Sequence, residues 1–316
     1  MKALVTGATG FVGRALCCQL LDEGAFVRGS TRHTDTPCAA SETVVVGGLG
    51  SETDWTAALD GVDVVFHLAG IAHVVEPARR DATVYERVNA EGTERLARQA
   101  ARAGAGRFVF LSSLKVNGEE SPPAGFRETD AVRPEGAYAL SKLHAELRLE
   151  NVARETGLRC TILRPPLVYG PRVRANFLEL IRAVDHGRPL PFGRVRNARS
   201  LIYVQNLCSA LRCLARHPSA SGETFFASDG APVSTADLIR HVASALGRPP
   251  RLVPVPLALL RAAAAAARKG DAVQKLTASL VVDDSKIRSM LGWAPPHDMR
   301  RGLTDTIAWY RGMQHQ

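Results

Sequence analysis

Apolar runs alternate with helix-spaced apolar residues along the first half of the chain. The runs predict strands near residues 2–6, 26–31, 43–46, 63–68, 107–112 and 159–164. The helix-spaced stretches between them cover residues 11–23, 54–60, 81–103 and 137–156. Strands and helices that alternate in this way form a parallel sheet with helices on both faces. The pattern therefore predicts an α/β fold with a doubly wound, Rossmann-like sheet.

Beyond Pro171 the pattern loosens into short segments separated by proline and glycine. Helical spacing returns near residues 234–246 and 300–310. We interpret residues 171–316 as a smaller C-terminal domain, and we expect the chain to weave between it and residues 1–170.

The composition and length of the chain limit the classes of protein to which it can belong. The chain has 316 residues, 46% of them hydrophobic, which is enough for a large core. No apolar run approaches the ~20 residues that span a bilayer, and no signal sequence precedes the first strand. We therefore expect a cytoplasmic protein without membrane insertion. The six cysteines lack metal-ligand spacing, so no metal site is predicted.

The net charge of +9 raises the question of nucleic-acid binding. Of the 40 cationic residues, 34 are arginines that are spread along the chain, and aromatic residues make up only 6%. Proteins that bind single-stranded nucleic acid combine a basic groove with aromatic stacking platforms. We therefore predict no nucleic-acid partner.

A glycine-rich turn follows the first predicted strand. Its sequence is Gly7-Ala-Thr-Gly10-Phe-Val-Gly13, and a helical pattern begins at once after it. Glycines permit a tight turn and a close approach of the backbone to a ligand, while the N-terminus of the new helix presents free N–H groups. This strand-turn-helix unit predicts a binding site for the pyrophosphate of a dinucleotide.

An acid/base pair is predicted on the helix at 137–156. Tyr138 and Lys142 are four residues apart and so lie one turn apart on the same face. A phenol titrates near pH ~10, so a nearby cation is needed to favour its anion. The strand near 107–112 ends with Ser112 and Ser113, which add hydroxyl groups. Ser113, Tyr138 and Lys142 form a candidate catalytic triad.

These segments resemble the extended short-chain dehydrogenase/reductase superfamily, and within it the NAD(P)-dependent nucleotide-sugar epimerases, dehydratases and reductases. Further matching segments are His67-Leu-Ala-Gly70, Val88-Asn89-Ala-Glu-Gly92-Thr93, Arg164 to Pro171, Arg199 to Val204 and Leu291-Gly-Trp293. The resemblance implies that residues 1–170 bind the dinucleotide and carry the triad, and that residues 171–316 bind a nucleotide sugar. His67 itself is interpreted as a packed core histidine.

The resemblance also implies roles for the triad. Tyr138 would give or take the proton at the sugar oxygen, and Ser113 would hydrogen-bond the same oxygen. Lys142 would lower the pKa of Tyr138 and hold the nicotinamide ribose. The cofactor contacts implied in this way are Gly7, Thr9, Gly10, Phe11, Val12, Gly13, Thr31, Arg32, Leu68, Ala69, Gly70, Asn89, Tyr138, Lys142 and Pro165.

The end of the second predicted strand bears on the choice of cofactor. NAD-using relatives carry an aspartate where this chain has Thr31, and Arg32 follows it. A carboxylate binds the ribose hydroxyls of NAD, whereas a hydroxyl and a guanidinium suit a 2′-phosphate. NADP(H) is therefore favoured, and NAD(H) stays possible.

Substrate contacts are implied at the sugar and at its nucleotide. Segment 112–119, Ser-Ser-Leu-Lys-Val-Asn-Gly-Glu, resembles O-antigen enzymes that reduce UDP-4-keto-6-deoxy-N-acetylhexosamines at C4. The implied substrate contacts are Ser113, Lys115, Asn176, Arg199 and Lys275. The expected small-molecule partner is a UDP-sugar. Relatives dimerise through helices like those at 81–103 and 137–156, so a homodimer is expected.

Three functions remain open from the sequence. The first is NADPH-dependent reduction of the C4 keto group of a UDP-4-keto-6-deoxy-N-acetylhexosamine in the synthesis of bacterial surface polysaccharide. The second is a UDP-hexose or UDP-N-acetylhexosamine 4-epimerase that retains NAD. The third is a non-catalytic sensor or scaffold that binds NAD(P); such a protein is expected to lack the tyrosine or the lysine, and both are present.

Overall fold

A seven-stranded parallel sheet forms the centre of the molecule, in the order β3-β2-β1-β4-β5-β6-β9. The computed structural model describes residues 1–33, 38–72, 81–266 and 270–314. The strands are β1 (Lys2–Thr6), β2 (Phe26–Thr31), β3 (Glu42–Val45), β4 (Val64–His67), β5 (Arg107–Leu111), β6 (Cys160–Leu163) and β9 (Thr224–Phe225). A separate parallel pair consists of β7 (Leu167–Tyr169) and β8 (Leu201–Tyr203). The predicted doubly wound α/β fold is confirmed.

Helices cover both faces of the sheet. In the first half they are α1 (Phe11–Asp22), α2 (Thr56–Leu59), α3 (Ala82–Tyr85), α4 (Gly92–Arg102) and α5 (Gly136–Thr156). In the second half they are α6 (Ala175–Asp185), α7 (Val204–Arg216), α8 (Thr235–Leu246), α9 (Leu257–Ala266), α10 (Gly270–Thr277), α11 (Ser285–Leu291) and α12 (Met299–Gln314). None of the helices in the described ranges is long and apolar enough to cross a membrane.

Each face of the sheet has its own apolar core. One core joins Leu16 of α1 to Leu207 of α7 through Val5 of β1. The other joins Leu96 of α4 to Leu149 of α5 across the opposite face. Because both faces are buried, the central strands are apolar almost throughout, which is why short apolar runs in the sequence located them.

The strand order reverses between β1 and β4. The chain builds β1, β2 and β3 toward one edge and then crosses to place β4 on the other side of β1, with Thr6 opposite His67. In open α/β sheets, ligands bind outside the carboxyl ends of the strands at such a reversal. The fold therefore predicts a ligand-binding site at the segments that follow Thr6 and His67.

Three details differ from the sequence predictions. The helix predicted at 81–103 is interrupted by a π-helical segment, Glu86–Glu91, and the one predicted at 54–60 is a single turn. The short strand β9 comes from the second half of the chain and pairs with β6 in the main sheet. The proposed boundary between residues 1–170 and 171–316 stays a prediction.

Candidate active site

A cavity of about 350 Å³ lies where the strand order reverses. Its lining residues come from the ends of β1, β2, β3 and β4. They are Gly7, Thr9, Gly10, Ser30, Thr31, Arg32, His33, Val46, Gly47, Leu49, Leu68, Ala69 and Gly70. Eight of the residues expected to contact the cofactor are in this set: Gly7, Thr9, Gly10, Thr31, Arg32, Leu68, Ala69 and Gly70.

The glycine turn has the shape that a dinucleotide needs. Gly7 has a φ of +66°, and a Cβ there would lie 3.0 Å from the Ala69 backbone. A Cβ at Gly13 would lie 2.1 Å from the Gly7 carbonyl oxygen, so α1 packs directly on the turn. Gly10 is the N-cap of α1 and has no side chain to cap it. The N–H groups of the first turn, including those of Phe11 and Val12, can therefore bind a pyrophosphate.

His67 anchors this region as a packed residue. The Thr6 hydroxyl accepts hydrogen bonds of 3.1 Å from the backbone N–H groups of Leu68 and Ala69, so its own hydrogen is free for His67 Nδ1, 2.7 Å away. His67 Nε2–H then donates to Thr93 Oγ1 at 2.9 Å. Burial lowers the pKa of His67 to about 3, with a smaller effect from the charge of Lys142. The neutral ring orders the loop that lines the cavity, as expected for a core histidine.

Asn89 lies in the π-helical segment and is buried. Its Oδ1 accepts from the Ile71 N–H at 2.8 Å, and its Nδ2 donates to the Ile71 carbonyl and to Ser141 Oγ, both at 3.0 Å. A Cβ at Gly70 would lie 2.9 Å from Asn89 Oδ1 and 3.7 Å from Lys142 Nζ. The π segment thus brings Asn89, Gly70 and Lys142 together, and sequence spacing does not signal that geometry.

The three members of the candidate triad meet at the carboxyl end of β5. Ser113 is the first residue of the turn after the strand, and its Oγ accepts from the Lys115 N–H at 3.2 Å. Tyr138 lies in the first turn of α5, and its ring packs edge-on against Tyr85 with centroids 6.4 Å apart. Lys142 is buried, and its Nζ donates to the Leu111 carbonyl at 2.7 Å.

The pKa values of Tyr138 and Lys142 both depart from their ordinary values. Burial raises the pKa of Tyr138 above its ordinary value, although hydrogen bonding with Ser113 opposes the shift. Burial lowers the pKa of Lys142 to about 8, and the carboxylate of Glu146 opposes that shift. The expected lowering of the Tyr138 pKa by Lys142 stays a prediction. The Lys142 ammonium donates to the Leu111 carbonyl and lies over the Phe110 ring, 4.3 Å from its centroid.

The adenosine end of the cavity carries hydroxyl and cationic groups. Thr31 is buried, and its hydroxyl donates to the His33 carbonyl at 3.1 Å. Arg32 and His33 are exposed. None of the cavity-lining residues that the structure describes is a carboxylate. Asp35, the acidic residue next in sequence, lies outside the described ranges.

The residues of the second half of the chain that are predicted to contact the substrate are half-buried or exposed. Arg199 is half-buried, and its Nη1 donates to the carbonyls of Lys275 at 2.6 Å and of Ala278 at 3.2 Å. The side chains of Asn176 and Lys275 are exposed. Pro165, one of the expected cofactor contacts, is buried, and its carbonyl accepts from the Leu114 N–H at 3.0 Å.

Sequence reasoning missed a carboxylate beside these groups. Glu119 forms an ion pair with Lys115, and both side chains are partly buried, with 25% and 30% of their surface exposed. The charge of Glu119 also acts on Arg199. The signal was present in the sequence, because Lys115 and Glu119 are four residues apart, but they lie on a short 3₁₀ turn and its extension, not on an α-helix.

Comparison with known proteins identifies the class. The model of the NAD dependent epimerase/dehydratase family matches residues 3–226. The chain is 39% identical to a UDP-glucose 4-epimerase of Vibrio cholerae over 96% of this chain and 93% of that protein. It is 30% identical to a 3-beta-hydroxysteroid dehydrogenase of Mycolicibacterium neoaurum, over 78% and 70% of the two chains. The structure of MoeE5 in complex with UDP-glucose and NAD superposes with a TM-score of 0.80, at 26% identity and over 99% of this chain and 100% of that one.

The chain therefore belongs to the NAD dependent epimerase/dehydratase family, within the extended short-chain dehydrogenase/reductase superfamily. It is an enzyme of that family with a Rossmann-like cofactor site, which disfavours the sensor or scaffold interpretation.

Proposed function

We propose that this enzyme reduces the C4 keto group of a UDP-4-keto-6-deoxy-N-acetylhexosamine with NADPH, as a step in bacterial surface-polysaccharide synthesis. The observation that carries a C4 oxidoreductase is the meeting of Ser113, Tyr138 and Lys142 at the strand end beside the cofactor cavity. The wider chemistry, oxidation and reduction at a nucleotide sugar, is common to this function and to its alternative.

The proposed roles follow from the chemistry of each group. When bound, the nicotinamide cofactor supplies the hydride that reduces C4. Tyr138 donates the proton to the C4 oxygen, and the raised pKa of its phenol keeps that proton available at neutral pH. Ser113 donates a hydrogen bond to the same oxygen. Lys142 and Asn89 hold the nicotinamide ribose side of the cofactor, beside Gly70.

The preference for NADP(H) rests on the groups at the adenosine end. Thr31 and Arg32 both line the cavity there, and the exposed guanidinium of Arg32 can move onto a phosphate. Arginine pairs with phosphate through two parallel hydrogen bonds. An exchangeable NADPH suits a reductase, because each turnover consumes one reduced cofactor.

The UDP-sugar would lie between Arg199 and Ser113. Arg199 would bind the diphosphate, while Asn176 and Lys275 would contact the nucleotide. Lys115 and Glu119 would then flank the sugar, since the backbone N–H of Lys115 donates to Ser113 Oγ, its ammonium pairs with Glu119, and Glu119 acts on Arg199. An ammonium and a carboxylate side by side match the carbonyl oxygen and the N–H of an acetamido group, which favours an N-acetylated sugar.

A second candidate is a 4-epimerase of UDP-hexose or UDP-N-acetylhexosamine that retains NAD. The 39% identity to a protein described as UDP-glucose 4-epimerase favours it. For either function we also propose a homodimer through α4 and α5, where Leu140 and Leu147 of α5 are exposed.

One experiment separates the two functions. The absorbance of reduced nicotinamide and the identity of the product sugar are followed together, with UDP-N-acetylglucosamine, in the presence and absence of a partner 4,6-dehydratase. The reductase oxidises one NADPH for each keto sugar supplied and leaves ordinary UDP-hexoses unchanged. Epimerised product without any change in absorbance, and without the dehydratase, would overturn the reductase and establish the epimerase. Tyr138→Phe serves as the inactive control.

A further inference from the structure

A buried ion pair lies directly behind the catalytic helix face. Glu146 is one turn beyond Lys142 on α5, and Arg164 follows β6; they are 1% and 7% exposed. Arg164 Nε donates to both carboxylate oxygens of Glu146, at 3.0 and 3.2 Å, and Nη2 donates to Oε2 as well. The Ser112 hydroxyl donates to the same carboxylate. No step of the proposed reaction uses this pair.

The pair connects three elements that carry the site. Ser112 stands between Leu111, whose carbonyl holds Lys142, and Ser113 of the triad. Arg164 Nη1 donates to Asn117 Oδ1 at 3.1 Å, which ties the turn after Ser113 to the end of β6. The network therefore fixes the end of β5 against α5 at the point where the ammonium is bound.

A stability role alone does not account for such a pair. Removing two charges from water costs several kcal/mol for each ion, and apolar residues of similar volume often replace a buried ion pair without loss of stability. The ion pair is therefore better explained by an effect on the position or charge of a neighbouring side chain. That neighbour is Lys142.

We propose that Glu146, held by Arg164 and Ser112, is a positioning residue for Lys142: its carboxylate stabilises the ammonium one turn away, and its bond to Ser112 sets the carbonyl that the ammonium binds. The inference deepens the proposed function, since it rests on Lys142 holding the cofactor.

The groups around Lys142 determine in which direction its pKa changes when the Glu146 carboxylate is lost. The titratable groups that face it are Tyr138 and Glu146 from its own helix and His67 from β4, and His67 is neutral at physiological pH. From β5 it meets the Leu111 carbonyl and the Phe110 ring, and Arg164 faces it through Glu146. Burial lowers the pKa of Lys142 to about 8 while Glu146 raises it. Loss of the carboxylate must lower that pKa further.

The test measures cofactor affinity against pH by fluorescence titration of the full-length enzyme with NADH and NADPH. In the wild type the affinity should fall as the pH rises through about 8, where Lys142 loses its charge. In Glu146→Gln the fall should begin on the order of 1 pH unit lower, the size of shift that a nearby charge produces. Glu150→Gln is the matched control, because it makes the same change one turn further along α5 at an exposed position.

Two more variants separate positioning from folding. Glu146→Leu combined with Arg164→Met removes both charges and keeps an apolar core, so it should fold and should show a smaller downward shift, because the Arg164 cation is lost together with the carboxylate. Glu146→Asp keeps the charge and should restore most of the wild-type profile. A fold-competent Glu146→Gln with the wild-type profile would overturn the inference, and so would an equal shift in Glu150→Gln. A wild type whose affinity does not change near this pH would instead refute the proposed role of Lys142 itself.

Discussion

The two sides of the active site are built differently. On the side of the strand ends, Asn89, Lys142 and His67 are buried, and each is bonded to groups from another element. On the side of the second half of the chain, Asn176 and Lys275 are exposed, and Arg199 is only half-buried. Folding alone thus fixes the residues that support the cofactor side of the site, whereas those proposed to bind the nucleotide are more exposed to solvent.

The backbone shows the same contrast. Arg172, in the loop that leads into α6, has a φ of +74°, and Ala175, the first residue of α6, has a φ of +52°; both values are unfavourable for residues with a side chain. Residues held in such conformations concentrate at ligand-binding segments, because the surrounding structure must maintain them. Asn176 follows this strained segment directly. The comparison predicts that substitutions on the first side change turnover and that those on the second side change substrate binding.

The largest effect is expected for Tyr138→Phe. The substitution removes the hydroxyl and keeps the ring that packs against Tyr85. Turnover should fall by a factor of ~100 or more, as for loss of a positioned proton donor, while cofactor affinity and thermal stability stay near those of the wild type. Steady-state kinetics together with a melting curve test this. Near-normal turnover in a folded variant would remove Tyr138 from the proposed mechanism.

Lys142→Met should affect two quantities at once. The side chain is proposed to hold the cofactor ribose and to orient the site through the Leu111 carbonyl. Hydrogen bonds to a charged group contribute about 1.5–3 kcal/mol, so cofactor affinity should weaken on the order of 10- to 100-fold, with a parallel loss of turnover. Cofactor titration and kinetics are measured on the same preparation. A change in melting temperature alone would mean that Lys142 serves only the packing of α5.

The same contrast explains how far the sequence could predict the molecule. Strands β1, β4, β5 and β6 were located because both faces of the sheet are buried there, so their apolar runs are unambiguous. Glu146 and Asn89 were harder to interpret, since their partners Arg164 and Ser141 are 18 and 52 residues away and meet them only in the folded chain. The strand β9 escaped prediction because two residues carry no detectable period.

Arg199→Met tests the side that is proposed to bind the nucleotide. A half-buried guanidinium that binds a diphosphate should contribute about 2 kcal/mol, so KM for the UDP-sugar should rise on the order of 30-fold with little change in kcat. Arg196→Met is the control, because Arg196 is an exposed arginine three residues earlier. If kcat fell as much as kcat/KM, then Arg199 would act in the transition state, and the division between the two sides would fail.

The smallest effect is expected for Arg32→Ala, at the outer end of the cofactor cavity. Arg32 lines the cavity but is exposed, so solvent weakens its interaction with a phosphate, and the lower end of the range for a charged hydrogen bond, about 1.5 kcal/mol, is appropriate. Affinity for NADPH should fall about tenfold. NADH lacks the 2′-phosphate and serves as the internal control, because its affinity should not change. Titration of wild type and variant with both reduced cofactors therefore isolates the phosphate contact. A wild type that prefers NADH, or an NADPH preference that survives the substitution, would exclude Arg32 as the selector and strengthen the case for an epimerase that retains NAD.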